Sequence, residues 1–466
     1  GVLLSLFNNI HGKEDFGVTR NVENNLEFQN ERLNESQQQA VLQMMGDDGL
    51  TILHGPPGTG KTTTLVEGIY QLVQDEKRIV VTAPSNTAVD NIAKGLIEAG
   101  LKILRVGNSL KVDPIIYPHT PEGSLRESKT AKEIKRLKIQ AEELRKMSHQ
   151  YKRSFGKAER EQRSALYREV KRIRKQIRDL RDYYDEKLYD EADVILGTPI
   201  GLHNFLPEDA EFDVLVMDEA GQAIEPFAWV VFPFAKNWIL AGDPFQLPPT
   251  VLSSEAASQG YNISILERCF KHAKRNFFLN TQYRMKSSIA EFSNIQFYEN
   301  QLVTTNELNN SSNNVLFYDT AGTGFNETSG EDGSSLMNEG ELSIVEALIQ
   351  KEGIDIKKLA FISPYAGQVS KAKEVLSKDI RISTIDSFQG QEMKYVILSM
   401  VRSNPDAIIG FLKDYRRMNV AMTRAKEQLI VIGDSSTIGQ DKFYADFLEY
   451  VDGLGAYNSA WEFLGS

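Results

Sequence analysis

The chain has 466 residues, 41% of them hydrophobic and 25% charged, with one cysteine and a formal net charge of −11. That length is too great for a single core and points to two or three domains. The lone Cys269 excludes a disulfide framework and any Cys-rich zinc module, and it fits a reducing compartment, the cytoplasm or, in a eukaryote, also the nucleus.

The chain opens at Gly1 and not at Met, which reads as a fragment or a processed form. Val2 to Phe7 is apolar but lacks a basic leader and a cleavage site, so no signal peptide is expected, and no apolar run is long enough to cross a bilayer. The rest of residues 1–35 is polar. Asn34 or Ser36 can cap a helix that carries Ala40, Val41 and Met44. Leu50 to Leu53 then reads as a buried strand, and Lys61 to Val73 as a helix. Between them stands Gly55-Pro56-Pro57-Gly58-Thr59-Gly60-Lys61-Thr62, which satisfies the G-x-x-x-x-G-K-[ST] pattern. Strand, loop and helix come in the order that lets backbone N–H groups surround phosphates at a helix N-terminus.

Further strands are expected at Arg78 to Thr82 and Lys102 to Val106, with a helix between them ending near Ala99. Alternation of this kind means βαβ units and a parallel sheet. The pattern then breaks. Ile134, Leu137, Ala141, Leu144, Met147 and Tyr151, and later Leu166, Val170, Ile173, Ile177, Leu180 and Tyr184, recur in steps of three and four. That is the stripe of an antiparallel helical hairpin, turning at Ser154-Phe155-Gly156. An acidic chain argues against a nucleic-acid partner, yet residues 121–190 hold 21 Lys and Arg against 13 Asp and Glu, a segment of +8 on a remainder of −19. Both a solvated coiled-coil exterior and a surface for a nucleic-acid backbone fit that charge.

Strands return at Asp193 to Leu196, Phe212 to Met217 and Trp238 to Ala241, and the first domain is expected to close near Arg275. The second half repeats the logic without a phosphate loop. Strands are expected at Asn276 to Leu279, Val315 to Tyr318, Leu359 to Ile362, Arg381 to Ile385, Tyr395 to Met400 and Gln428 to Ile432, with a helix at Leu342 to Ile349. The polar stretches 303–314 and 321–340 read as surface loops, and the Asn-x-Ser/Thr triplets at Asn309, Asn310 and Asn326 as incidental. The expected division is therefore a lead-in over 1–35, a first α/β domain over 36–120 and 191–275, a basic helical insertion over 121–190 and a second α/β domain over 276–466.

Hydrolysis of a nucleoside triphosphate needs a metal, a positioned water and positive charge at the γ-phosphate. Lys61 can reach the β/γ-phosphates, and Thr62 and Asp218 can ligate Mg²⁺. Asp218 ends a buried strand, where ligands bind in open α/β sheets. Its neighbour Glu219 can take the proton of the attacking water, and Gln246 has the reach to sense phosphate or water. Arg284 and Arg424, both in the second half, fit the role of arginine fingers. If both reach the γ-phosphate, the nucleotide lies in a cleft between domains, and its hydrolysis can open or close that cleft.

The ordered set GPPGTGKT, APSNTAVD, DEAGQA, GDPFQLPP, QYRM, TIDSFQGQE and RRMNVAMTRAK resembles the Upf-type branch of the superfamily 1B helicases, from about Leu33 to about Asp434. It looks most like the immunoglobulin-mu-binding-protein (Smubp-2-like) members. The resemblance implies two RecA-like domains in tandem with a helical hairpin in the first, ATP and Mg²⁺ as cofactors, and 5′→3′ movement on single-stranded DNA, RNA or both. It makes Gly55, Pro57, Gly58, Thr59, Gly60, Lys61, Thr62 and Thr63 nucleotide contacts. It also makes Gln37 the reader of the adenine edge, Tyr283 the ring that stacks on the base, and Gly390 and Glu392 the second-domain contacts, Glu392 near the ribose. Ser85, Asn86, Thr87, Thr198 and Pro199 look like first-domain contacts to a single strand, and Pro364, Tyr365, Thr384, Ser387 and Asn404 like second-domain ones.

The family carries a β-barrel on a helical stalk before the glutamine motif, and here only about thirty residues precede it. Val2 to Ile10 resembles the close of that insertion, so the barrel is expected to be cut away or to lie upstream. The basic hairpin resembles the family's other insertion. A monomer without zinc or membrane attachment is expected. The rival readings are a nucleotide-gated clamp on single strands without unwinding, and, more remotely, a P-loop kinase.

Overall fold

The computed structural model describes residues 2–11, 26–46, 49–149, 156–273, 275–309, 313–330, 333, 335–388 and 390–464. Tyr151 of the expected stripe, Ser154 and Phe155 of the expected turn, and Asn310 lie outside them.

The first half builds a seven-stranded sheet. Its helices and strands run α1 (Val2–Ile10), α2 (Glu35–Met44), β1 (Leu50–His54), α3 (Lys61–Gln74), β2 (Ile79–Thr82), α4 (Asn86–Glu98) and β3 (Ile103–Arg105). Then come α5 (Pro121–Glu127), α6 (Lys129–His149), α7 (Lys157–Glu191), β4 (Val194–Gly197), α8 (Pro199–Phe205), β5 (Phe212–Met217) and α9 (Glu225–Trp229). The half ends with β6 (Ala235–Gly242), α10 (Ser254–Ala256), α11 (Ile265–Phe270) and β7 (Arg275–Phe278). The sheet order is β3-β4-β2-β5-β6-β1-β7 and every pairing is parallel. Strands buried on both faces read as unbroken apolar runs. Alternate residues of β2 show why: Val80 joins the core on one face, Ile79 and Val81 the core on the other.

The expected boundary near Arg275 falls inside a strand. β7 pairs with β1 from Thr51↔Arg275 to His54↔Phe278, so the first sheet runs on through Phe278. Sequence reading moved it to the second domain because a short run such as Asn276 to Leu279 carries no mark of which sheet it will join. The lead-in also belongs to this half: Leu6 and Ile10 of α1 are buried in its core, and His11 pairs with Glu225 at 3.0 Å.

The second half builds a six-stranded parallel sheet. Thr281–Gln282 (β8) and Val303–Thr304 (β9) form a short parallel pair on either side of α12 (Ser287–Phe297). They are followed by β10 (Val315–Asp319), a small antiparallel pair of β11 (Thr328–Ser329) and β12 (Leu336–Met337), α13 (Glu339–Ser343) and α14 (Val345–Lys351). Next are β13 (Leu359–Ser363), α15 (Ala366–Val375), β14 (Arg381–Thr384), β15 (Met393–Ser399), α16 (Tyr415–Met422), β16 (Ala425–Gly433), α17 (Ser435–Ile438), α18 (Lys442–Gly453) and β17 (Tyr457–Ser459). The main sheet has the order β14-β13-β15-β16-β10-β17. Two cores cover its faces, with Phe361 in one and Ala360 and Ile362 in the other. Each fully buried Leu, Ile or Phe contributes about 1.5–3 kcal/mol, so four such cores hold the frame against which the loops are set. The helix expected over Leu342 to Ile349 is broken at Ile344 into α13 and α14.

The insertion is a hairpin of α6 and α7 rooted on α5. Ile134, Leu137, Ala141, Val170 and Ile173 are buried, with Leu144, Ile177 and Leu180 packed against Leu137, Ala141 and Ile173. Met147, expected on the same stripe, is 55% exposed.

Candidate nucleotide cleft and nucleic-acid interface

The phosphate loop leaves the carboxyl end of β1, which lies between β6 and the edge strand β7. Gly58 and Gly60 take φ of 78° and 75°, a region that side chains avoid. Gly60 is the N-cap of α3, so the loop turns directly into a helix N-terminus. Space matters as well as φ: a Cβ on Gly58 would lie 2.6 Å from the Arg284 Cβ. The loop is therefore in direct touch with the segment that carries an expected arginine finger. The Tyr283 N–H donates to the Gly58 carbonyl at 2.8 Å, which fixes that contact through the main chain.

A cleft of ≈ 550 Å³ opens here. It is lined by the loop from Gly55 to Thr62, by Ser85, Thr87, Ala88 and Asn91 at the start of α4, by Glu219, Gln222 and Gln246, and from the second half by Arg284, Ser387, Gly390, Gln391 and Arg424. Thus Lys61, Glu219, Gln246, Arg284 and Arg424 converge from five separate places in the chain. Asp218 lies under the floor, 3% exposed, with its N–H bonded to Thr82.

The charges are tightly interlocked. The Lys61 ammonium touches Asp218 and donates to Glu219 at 2.8 Å. Burial pulls the Lys61 pKa down, but the two carboxylates outweigh it and hold the group above the ordinary lysine range. Burial dominates at Asp218 and raises its pKa. At Glu219 burial acts upward too, yet Lys61 and a 3.0 Å hydrogen bond from Gln222 bring it below the ordinary range. Glu219 is therefore ionised at neutral pH and able to accept a proton. It also sits at φ 51°, a strained setting for a residue with a side chain, and strain of this kind clusters at functional sites.

The two arginines are held differently. Arg424 is 2% exposed, and its guanidinium donates to the Val420 carbonyl at 2.9 Å and the Gln391 carbonyl at 3.1 Å. Burial, and then the nearby Arg284, pull its pKa down to about 9. Arg284 pairs with Glu392 at 2.6 Å, and Lys426 touches the other Glu392 oxygen. Glu392 is thus saturated by two cations and does not line the cleft. Gln37 is also engaged elsewhere: its amide oxygen accepts from Asn34 N–H at 3.0 Å and its amide nitrogen donates to the Thr59 carbonyl at 3.0 Å. In this structure it braces the phosphate loop. Tyr283 is 47% exposed, its hydroxyl accepting from Asn34 at 2.7 Å. Thr63 faces a neighbouring recess with Gln29, Asn30 and Glu67.

Among the expected strand contacts, Ser85, Thr87 and Ser387 are exposed at the cleft. Ser85 caps α4 through Ala88 N–H, and Thr198 caps α8 through Gly201 N–H, with Pro199 buried behind it. Asn86 accepts at 2.9 Å from Arg105, a buried guanidinium paired with Asp90. Thr384 and Ser387 bond to each other at 3.0 Å. Pro364 is half-buried, but Tyr365 is 3% exposed, its hydroxyl directed at Ile409. Asn404 is half-exposed and bonded to Glu327, Thr437 and Ile408.

Sequence reading missed a buried polar chain that crosses between the halves. Asp243 accepts from Gln246 at 3.1 Å and from the Tyr298 hydroxyl at 2.7 Å, and its other oxygen meets His54 at 3.1 Å. Asn419 donates to the Tyr298 oxygen at 3.0 Å and to the Phe245 carbonyl at 2.9 Å. Asn419 stands on α16, just before Arg424. Asp243 is visible in the GDPFQLPP motif, but nothing in the sequence marks Tyr298 as its partner. Tyr298→Phe removes the hydroxyl that joins the halves. Net loss of a buried hydrogen bond to a charged group predicts a destabilisation of about 1.5–3 kcal/mol. Thermal or urea unfolding of the variant measures it.

Two family profiles, each described as an AAA domain, match residues 32–254 and 261–436. The chain is 34% identical to the DNA-binding protein SMUBP-2 of Rattus norvegicus over 94% of its own length and 46% of that protein. It is 32% identical to the DNA polymerase alpha-associated DNA helicase A of Schizosaccharomyces pombe, over 96% of its own length and 71% of the relative. It is 31% identical to the regulator of nonsense transcripts 1 of Dictyostelium discoideum, over 90% of its own length and 32% of the relative. The chain thus spans about half the length of the SMUBP-2 relatives it matches. Its paired parallel sheets, the phosphate loop on one and the arginines on the other, place it with its relatives: the chain belongs to the Upf-type superfamily 1B helicases, in the Smubp-2-like branch.

Proposed function

We propose that this chain is an ATP-dependent 5′→3′ helicase or translocase on single-stranded DNA, RNA or both, with ATP hydrolysed between its two sheet domains. One observation carries the reading: Arg284 and Arg424 of the second half line the same cleft as Lys61 and Glu219 of the first. A nucleotide there would be gripped from both sides, and loss of its γ-phosphate would loosen one domain from the other. The domains that would move are 36–120 with 191–278, and the remainder from about residue 281, with the basic hairpin carried on the first.

The residues also suit Mg²⁺. A magnesium ion takes one or two protein oxygens and completes its shell with water and phosphate. Thr62 on the cleft wall and the Asp218 carboxylate beside Lys61 supply that set. The bound ion would neutralise charge on the phosphates. Lys61 then holds the β/γ-phosphates, Glu219 receives the proton of the attacking water, and Gln246 positions that water from its hydrogen bond to Asp243. The names of the relatives, a DNA-binding protein and a DNA helicase, support the nucleic-acid side of the reading.

The test is unwinding of matched DNA and RNA duplexes with a 5′ or a 3′ tail, alongside ATP turnover with and without oligonucleotide. Stimulated turnover and opening of 5′-tailed duplexes are expected. Stimulated turnover without strand separation would show a nucleotide-gated clamp. Turnover indifferent to oligonucleotide would defeat both. A second expected result is a steep fall of oligonucleotide affinity with salt, since phosphate contacts release counterions. A flat response in an anisotropy titration would point to a protein partner.

A further inference from the structure

At the carboxyl edge of the second sheet three turns lie side by side: 363–365 after β13, 384–387 after β14 and 401–404 after β15. The register puts them there, Ser363 pairing with Thr384 and Ile362 with Leu398. The third turn begins on a strained residue. Val401 has φ 70°, which a β-branched side chain almost never adopts.

A fully buried polar cluster holds it. The Val401 N–H donates to both oxygens of Glu341, at 2.9 and 3.1 Å. The Val401 carbonyl accepts from the Asn338 amide at 3.2 Å, and Asn338 in turn accepts from the Glu341 N–H at 3.1 Å. Both polar groups of the strained residue are thus clamped by the first turn of α13. Ser399 donates to Glu341 at 2.5 Å, and Gln368 braces Ser399 at 2.8 Å and the Asn338 carbonyl at 3.1 Å. Asn338, Glu341, Gln368 and Ser399 are all 0% exposed. Among the described residues no cation is bonded to Glu341, and burial drives its carboxyl up to about 8. An apolar side chain would fill the same space without that desolvation. What it lacks is an acceptor for the turn. Beyond Val401 the turn stays tied down, Arg402 pairing with Glu327 at 3.0 Å and the Ser403 N–H donating to the same carboxylate at 2.9 Å.

We propose that Glu341 is a positioning residue for single-strand binding: by fixing the peptide of Val401 it holds turn 401–404, which carries the expected strand contact Asn404, in the shape that meets a nucleic-acid backbone. The inference rests on the helicase reading above. Neither Glu341 nor its partners Asn338, Gln368 and Ser399 line the nucleotide cleft, so the effect falls on strand affinity and not on ATP.

The experiment measures anisotropy of a labelled oligo-dT and the KM for ATP in the same preparations, using the full chain. Glu341→Leu, similar in size but without acceptors, is expected to raise the oligonucleotide Kd about tenfold while leaving the ATP KM in place. Glu341→Gln, which keeps an oxygen for the Val401 N–H and a polar contact to Ser399, is expected to bind like the parent. An unchanged Kd in a folded Glu341→Leu overturns the proposal, and so does an equal rise in Kd and KM, which is the signature of general damage. If Glu341→Leu does not fold, Glu341→Asp takes its place, since it withdraws the carboxylate by one methylene. Weakened oligonucleotide binding at constant KM then supports the proposal, and parent-like binding overturns it. A parent chain that binds neither oligo-dT nor oligo-U removes the helicase reading itself, a result distinct from any of these.

Discussion

Glu219→Gln binds ATP and fails to hydrolyse it: kcat is expected to fall by at least about 100-fold, the usual scale for loss of a general base. The amide keeps the size of the side chain and a hydrogen-bonding oxygen for Gln222, so the cleft wall stays in place. What it gives up is the capacity to take a proton. In the parent that capacity is set by Lys61, which holds the Glu219 carboxyl below its ordinary range against the upward pull of burial. Lys61→Ala has a different signature. It deletes the charge expected on the β/γ-phosphates, and it also leaves Asp218 and Glu219 side by side without their shared cation. Nucleotide binding should fall with turnover. Equilibrium binding of a slowly hydrolysed ATP analogue, together with single-turnover kinetics, separates the two. Normal hydrolysis by Glu219→Gln would overturn the assignment of the base.

Much of this is legible in the sequence because it is local. A parallel strand buried on both faces announces itself as an apolar run, and Phe212 to Met217 is expected and found over the same residues. The phosphate loop is legible for the same reason, since glycine, lysine and threonine act within eight consecutive residues. Contacts that depend on two distant segments were not. Tyr298 meets Asp243 across 55 residues and Asn419 across 121, and no spacing rule connects them. In the sequence Glu341 is one more acid between a polar loop and a helix, and only the fold shows it with no exposed surface under a strained valine. Strand β7 teaches the same lesson on the scale of a sheet, because its residues fit either domain and the register alone assigns them. Tyr365 marks a further limit. A resemblance carries over the residue type at a position, while burial against Ile409 is decided by how the second half packs.

Arg424→Ala is expected to cost about 10³-fold in kcat, the lower end of what arginine fingers supply in phosphoryl transfer, with a much smaller change in the KM for ATP. The geometry explains the split. Arg424 is fixed by the Val420 and Gln391 carbonyls and buried beside Arg284, so two cations crowd one wall of the cleft. Even pulled down to about 9, the guanidinium stays charged at neutral pH. Glu392 and Glu219 offset part of that repulsion, and negative charge between the cations and the phosphate loop offsets more of it. Binding a triphosphate relieves the repulsion, and removing one arginine relieves part of it as well, so affinity changes little. The charge that develops during transfer has no such substitute, and the loss appears in kcat. An effect confined to kcat marks an interaction made in the transition state. Arg424→Lys should recover only a small part of the activity. A lysine keeps the charge but lacks the planar fork that here bonds two carbonyls and still faces the cleft. Steady-state kinetics at saturating oligonucleotide decides it. A variant that loses KM alone would make Arg424 a binding group, and one that loses nothing would leave Arg284 as the finger.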